Sequence, residues 1–145
     1  MRIFADTNVL VSAFTARGLC AELLEVILAD HHLMTGEIVL EELQLVLTKK
    51  LMVPERNVSD VTKFLRSHHV EPVPDEPTET IVRYADDRWV LESAIRFKAE
   101  IFVTGDRDLL ENSKNSSQLK VISPRELWEL LQKSITSNNT ARAYR

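Results

Sequence analysis

Ile101-Phe102-Val103-Thr104-Gly105-Asp106-Arg107-Asp108-Leu109-Leu110 is the stretch on which the fold class turns. Its apolar start is too short for a buried helix and suits a strand covered on both faces. Gly105 permits a tight turn and close backbone approach. Asp106 to Glu111 then reads as a short helix, with Asp106 able to cap it and Asp108 placed to suit the helix dipole. The same grammar opens the chain, where Arg2-Ile3-Phe4-Ala5 reads as a buried strand ending at Asp6. An acid directly after a buried strand thus occurs near both ends of the sequence.

Working outward, helical spacing of Leu19, Leu23, Leu24, Ile27 and Leu28 predicts a helix over 18–30. Val39, Leu43, Val46 and Leu47 predict another over 37–50, and a third runs from Asn57, as its cap, to His68. Val90, Leu91, Ala94 and Ile95 predict a helix from about 87 to 98. Pro124 opens a last helix to about 133. Short strands are expected at 32–35, 70–73 and 120–122, and Pro72, Pro74 and Pro77 mark a stiff loop. From Ser134 the chain is polar without apolar periodicity, so the expected domain is 1–133, followed by a mobile tail over 134–145. Strands alternating with amphipathic helices predict an α/β sandwich around a parallel sheet. Ligands bind such sheets outside the carboxyl ends of the strands, which would put Asp6 and Asp106 on one edge.

Composition narrows the function classes. The 145 residues fit one domain, and 44% apolar residues suffice for a core. No apolar run approaches the length of a membrane span, so no membrane partner is expected. The single cysteine, Cys20, excludes an internal disulfide, and with no signal sequence at Met1 a cytoplasmic location is the default. A net charge of −4 argues against a broad basic face for polyanions and leaves room for an enzyme whose metals screen an acidic site.

The candidate chemistry lies in carboxylates. Asp6 and Asp106 each have an ordinary reading as a turn or helix cap. Glu42 is more telling. Glu37, Glu41, Gln44 and Thr48 share the polar side of their helix, whereas Glu42 neighbours Ile38, Val39, Leu45 and Val46 at three- and four-residue spacings. An ionised group on an apolar face is costly unless it pairs with a buried Lys or Arg, stays wet at the edge of that face, or binds a metal. Asp86 and Asp87 precede the helix of Val90 and Leu91; one suits its cap, and Asp87 is aimed towards the inner side. Four acids brought together repel strongly, and a hard divalent cation, Mg²⁺ or Mn²⁺, neutralises them with oxygen ligation. His31-His32 and His68-His69 have no zinc spacing and are read as helix-end residues.

With these residues in view the sequence resembles the PIN-domain family, in particular the small prokaryotic VapC-like toxins of toxin–antitoxin systems. The matching pieces are Ile3-Phe4-Ala5-Asp6-Thr7-Asn8-Val9-Leu10-Val11-Ser12-Ala13, Val39-Leu40-Glu41-Glu42-Leu43, Asp86-Asp87-Arg88-Trp89-Val90-Leu91, Phe102 through Leu110, and Ile122-Ser123-Pro124-Arg125-Glu126-Leu127. The resemblance implies a Rossmann-like, three-layer fold with a central parallel sheet of about five strands. It implies an endoribonuclease that hydrolyses single-stranded RNA with Mg²⁺ or Mn²⁺ held by Asp6, Glu42, Asp87 and Asp106. Asn8 and Thr104 would support those ligands, Asp108 would be an extra carboxylate, and Asp86 the understudy of Asp87. It further implies an antitoxin protein as partner and a homodimer. The chemistry implied is metal-assisted phosphodiester hydrolysis without a protein nucleophile. Two alternatives stand beside it. A haloacid-dehalogenase-type phosphatase also begins with Asp after a strand, but needs a second Asp where this chain has Asn8. A non-catalytic interaction module on the same scaffold would keep the fold without cutting RNA.

Overall fold

The computed structural model describes residues 1–73, 85–112 and 119–143, and of residues 85–88 and 134–143 it describes the backbone alone. Strand β1 (Arg2–Ala5) is followed by helices α1 (Thr7–Thr15) and α2 (Leu19–Asp30), then β2 (His32–Gly36). Next come α3 (Glu37–Leu45), α4 (Glu55–Arg66) and β3 (His69–Glu71). The chain ends with α5 (Ala85–Arg96), β4 (Ile101–Val103), α6 (Arg107–Asn112), β5 (Lys120–Ile122) and α7 (Pro124–Ala143). The five strands form one sheet in the order β3-β2-β1-β4-β5, parallel at every pairing. From β1 the chain moves one way to β2 and β3, and later fills β4 and β5 on the other side. Right-handed crossovers in opposite directions lie on opposite faces, so helices cover both sides of the sheet.

That coverage explains the unbroken apolar runs. Ile3, Phe4 and Ala5 of β1 and Ile101, Phe102 and Val103 of β4 are all buried. Phe4 and Phe102 are adjacent in register and stack with ring centroids 5.4 Å apart. Fully buried Leu10, Leu23, Leu40, Leu43 and Leu91 bring the apolar stripes of four helices onto this sheet. Gly36, where β2 passes into α3, admits Phe4 and Ser93 of α5: a Cβ there would lie 3.3 Å from the Phe4 ring.

Several local expectations change. Helix α1 was not anticipated from the sequence, because Asp6-Thr7-Asn8 read equally as a turn; Asp6 is its N-cap. Asn57 is not a cap: α4 begins at Glu55 after Pro54, whose carbonyl accepts from the Asn57 and Val58 amides. The helix expected over 37–50 changes hydrogen-bond pattern at its end, where Val46–Lys50 forms a π-helical turn followed by Met52 at φ 54°. Strand β3 stops at Glu71, since Pro72 has no N–H to continue the ladder. The loop marked by Pro74 and Pro77 lies outside the described residues. Helix α7 continues to Ala143, ten residues beyond its expected end near 133. His31 caps the C-terminus of α2 and His68 follows that of α4, as helix-end residues do, but His32 and His69 are strand residues.

Candidate active site

The pairing of Ala5 with Val103 sets Asp6 beside Thr104 at the carboxyl edge of the sheet. The Asp6 N–H donates to the Val103 carbonyl at 3.1 Å, one step past the strands. This is also where the strand order reverses, the position at which open α/β sheets form their crevice. Sequence order and sheet order together therefore deliver an acid to the crevice from each central strand.

Asp6 is 7% exposed, and both of its oxygens are engaged. Oδ1 accepts the Thr7 N–H at 2.8 Å, capping α1. Oδ2 accepts the Thr104 hydroxyl at 2.8 Å and the Asn8 Nδ2 at 3.2 Å. Thr104 is fully buried and uses its whole hydroxyl: it donates to Asp6 and accepts from Asn8 Nδ2 at 3.2 Å and the Asp106 N–H at 3.0 Å. Asn8 Oδ1 accepts the Gly105 N–H at 2.7 Å. A Cβ on residue 105 would stand 3.2 Å from that same oxygen, so the turn needs glycine for close approach. Asn8, Thr104 and Gly105 thus tie the start of α1 to the turn after β4.

The other acids enter from neighbouring helices. Glu42 is half-buried on α3, and its Oε2 accepts the Thr7 hydroxyl at 2.7 Å. Glu41 is exposed and lines a groove with Gln44, Leu45 and Thr62, on the α4 side of the same helix. The two glutamates are therefore separated by helical face, as their spacing predicts. Asp106 is half-buried, and its Oδ1 accepts the Asp108 N–H at 2.9 Å and the Leu109 N–H at 3.5 Å, capping α6. Asp108 is half-buried in the first turn of that helix. Asp86 and Asp87 fall in the first turn of α5, but their side chains lie outside the described residues.

Electrostatics tie the described acids together. The Asp6 carboxyl is pushed from its ordinary value of 3.8 up to about 6, chiefly by burial. Hydrogen bonds from Thr104 and Thr7 pull it down, and the charges of Glu42 and Asp106 push it up. Among the described residues, no three His, Cys, Asp or Glu side chains gather closely enough to hold an ion. The chemistry of the donor set nevertheless fits a hard divalent cation: three carboxylates, no imidazole and no thiolate, with mutual repulsion that such a charge relieves.

One contributor went unread in the sequence. Thr7 is buried, its N–H serves Asp6 and its hydroxyl serves Glu42. A threonine beside an acid carries no signal of its own. The link to Glu42, 35 positions away, arises only when α1 packs against α3.

The PIN domain family matches residues 3–115. No curated protein sequence matches the chain. Among solved structures, the chain is similar to VapBC2 from Rickettsia felis bound to a DNA fragment from its promoter, at 20% identity and a TM-score of 0.62, covering 85% of this chain and 98% of that one. It is likewise similar to a toxin–antitoxin complex from Klebsiella pneumoniae, at 18% identity, a TM-score of 0.62, and coverage of 86% and 98%. A third similar structure is DNA-bound VapBC from Salmonella typhimurium, at 16% identity, a TM-score of 0.60 and the same coverage. At these identities the likeness speaks for the fold. With the family match over residues 3–115, the all-parallel five-stranded sheet and an acid after each central strand, the chain belongs to the PIN-domain family.

Proposed function

We propose that this chain is a Mg²⁺- or Mn²⁺-dependent endoribonuclease acting on single-stranded RNA, and the toxin of a toxin–antitoxin pair. PIN domains are nucleases, which supports a hydrolase acting on nucleic acid. The observation that carries the metal-dependent reading is geometric: buried Asp6 at the carboxyl edge of the sheet is linked to Glu42 through Thr7 and to Asp106 through Thr104. Similar structures are complexes of toxin with antitoxin, which supports an antitoxin as partner.

In this reading Asp6, Glu42, Asp87 and Asp106 hold the ion. Asn8 and Thr104 orient Asp6 through the bonds already described, Asp108 would be an extra carboxylate, and Asp86 is the understudy of Asp87. An ion held there would supply positive charge for the scissile phosphate and a more acidic water. The chain's own part is to keep Asp6 dry and oriented, so that its charge is available without reorganisation. Arg107, exposed at the start of α6, would meet the phosphate backbone of RNA.

The test is cleavage of single-stranded RNA by the purified protein with Mn²⁺, Mg²⁺ or EDTA, alongside Asp6→Asn. Cutting that needs the ion and the Asp6 carboxylate supports the reading. Full activity in EDTA, or undiminished activity of the variant, refutes it. A protein that binds its antitoxin without cutting any RNA would instead be an interaction module. The phosphatase alternative needs an acid two positions after Asp6; that position is Asn8, whose amide is bonded to Asp6 and Thr104.

A further inference from the structure

We infer that Thr7 is a positioning residue of the metal site, holding Glu42 to Asp6 as a pre-oriented pair; this rests on the metal-dependent reading above. Two geometric observations converge on it. Its backbone N–H donates to Asp6 Oδ1 at 2.8 Å and its hydroxyl donates to Glu42 Oε2 at 2.7 Å. It is also 7% exposed, so its bond to Asp6 is buried and its bond to Glu42 partly so.

The chemistry of the residue is specific. A hydroxyl has one proton to give, and here it goes to Glu42. Threonine is β-branched, so in a helix its χ1 is confined to two rotamers, and the bond to Glu42 selects between few hydroxyl directions. Glutamate is the opposite, with three rotatable bonds between the α3 backbone and its oxygens. Glu42 reaches the crevice from a half-buried position on α3 and has no other hydrogen bond among the described contacts. Thr7 therefore supplies the restraint that Glu42 lacks, and it occupies one oxygen while leaving the other for a ligand. Asp6 needs no such help, since Thr104 and Asn8 already fix its second oxygen. The effect of losing the Thr7 hydroxyl should therefore fall on Glu42.

The experiment compares Thr7→Val, which keeps the β-branched shape and removes the hydroxyl, with Thr7→Ser, which keeps the hydroxyl. Thr7→Ala repeats the deletion without added bulk. Calorimetric titration with Mn²⁺ should show affinity falling roughly 10–100-fold in Thr7→Val and Thr7→Ala, the usual range for partners that orient a ligand, and recovering in Thr7→Ser. RNA cleavage should lose kcat with KM little changed, because the hydroxyl touches a ligand rather than RNA. In a Glu42→Gln background, adding Thr7→Val should weaken Mn²⁺ binding no further, since the residue it positions is gone. Parent-like Mn²⁺ affinity in both Thr7→Val and Thr7→Ala, with the parent binding and cutting, overturns the positioning role alone. Additive losses in the Glu42→Gln background overturn it as well. A parent that binds no Mn²⁺ overturns it together with the metal-dependent reading.

Discussion

Replacing Asp6 with Asn should change how stability depends on pH in the metal-free protein. An acid with a raised folded pKa binds more protons folded than unfolded between its two values. Stability therefore falls as pH rises through that window, and the loss is complete above the folded pKa. For Asp6 the window runs from 3.8 to about 6. A shift of about two units corresponds to roughly 3 kcal/mol, carried in full near neutral pH. Asn does not titrate. Its amide also cannot accept from Thr7 on one side and from both Thr104 and Asn8 on the other, which costs on the order of 1 kcal/mol per lost bond. That cost is the same at every pH. The quantity to follow is thus the difference between variant and parent, from urea unfolding in EDTA between about pH 3 and pH 7.5, which should shift by about 3 kcal/mol in favour of Asn as pH rises. In melting temperature this is roughly 6–12 °C for a chain of this size. Saturating Mn²⁺ should reverse the trend in the parent alone, adding about 2.7 kcal/mol at a hundredfold excess over Kd. Parallel parent and variant curves across this range would refute the reasoning, because Asp6 would then carry no buried, repelled charge.

Glu42→Gln should abolish RNA cleavage with the fold intact, and Glu41→Gln, on the exposed face towards α4, should be nearly silent; equal losses would contradict the division of the two faces. Asp106→Asn should keep α6 capped, since Asn caps about as well as Asp, yet lose activity and most of the Mn²⁺-induced rise in melting temperature. Gly105→Ala should push the Asn8 carboxamide away by a few tenths of an ångström and weaken the Gly105–Asn8 bond, lowering stability by about 1 kcal/mol in thermal unfolding. Phe102→Ala, which empties the ring stacked on Phe4, should cost about 3–5 kcal/mol in urea unfolding. The resemblance to VapC-like toxins implies a homodimer, for which light scattering should give twice the 16.6 kDa monomer mass; the monomer mass at all concentrations would rule it out.

Much of the fold is written locally. The runs Ile3-Phe4-Ala5 and Ile101-Phe102-Val103 could only be buried strands, because a sheet covered on both faces leaves no polar side to alternate with. Helices α2, α3 and α5 declare themselves by apolar stripes, and Gly105 with the acids that follow it, Asp106 and Asp108, declares a strand-to-helix turn. Helix α1 stayed hidden because Asp6-Thr7-Asn8 satisfies turn and cap chemistry equally well, and only packing against α2 and α3 chooses between them. The cap of α4 shifted to Pro54 because the proline carbonyl, with no side-chain oxygen involved, does the work attributed to Asn57.

The sequence alone nominated the candidate acids: Asp6 and Asp106 by following strands, Glu42 by facing inward on its helix, and Asp87 by heading another. These are properties of period and neighbour, readable along one dimension. Only the tertiary structure decided what each acid touches. That Thr104 spends its hydroxyl on Asp6, that Asn8 closes on Gly105 and that Thr7 holds Glu42 depend on contacts across 98, 97 and 35 positions. Short-range propensity carries no information over such separations. The raised Asp6 pKa belongs to the same class, since burial and the nearness of Glu42 and Asp106 exist only once the sheet edge has assembled.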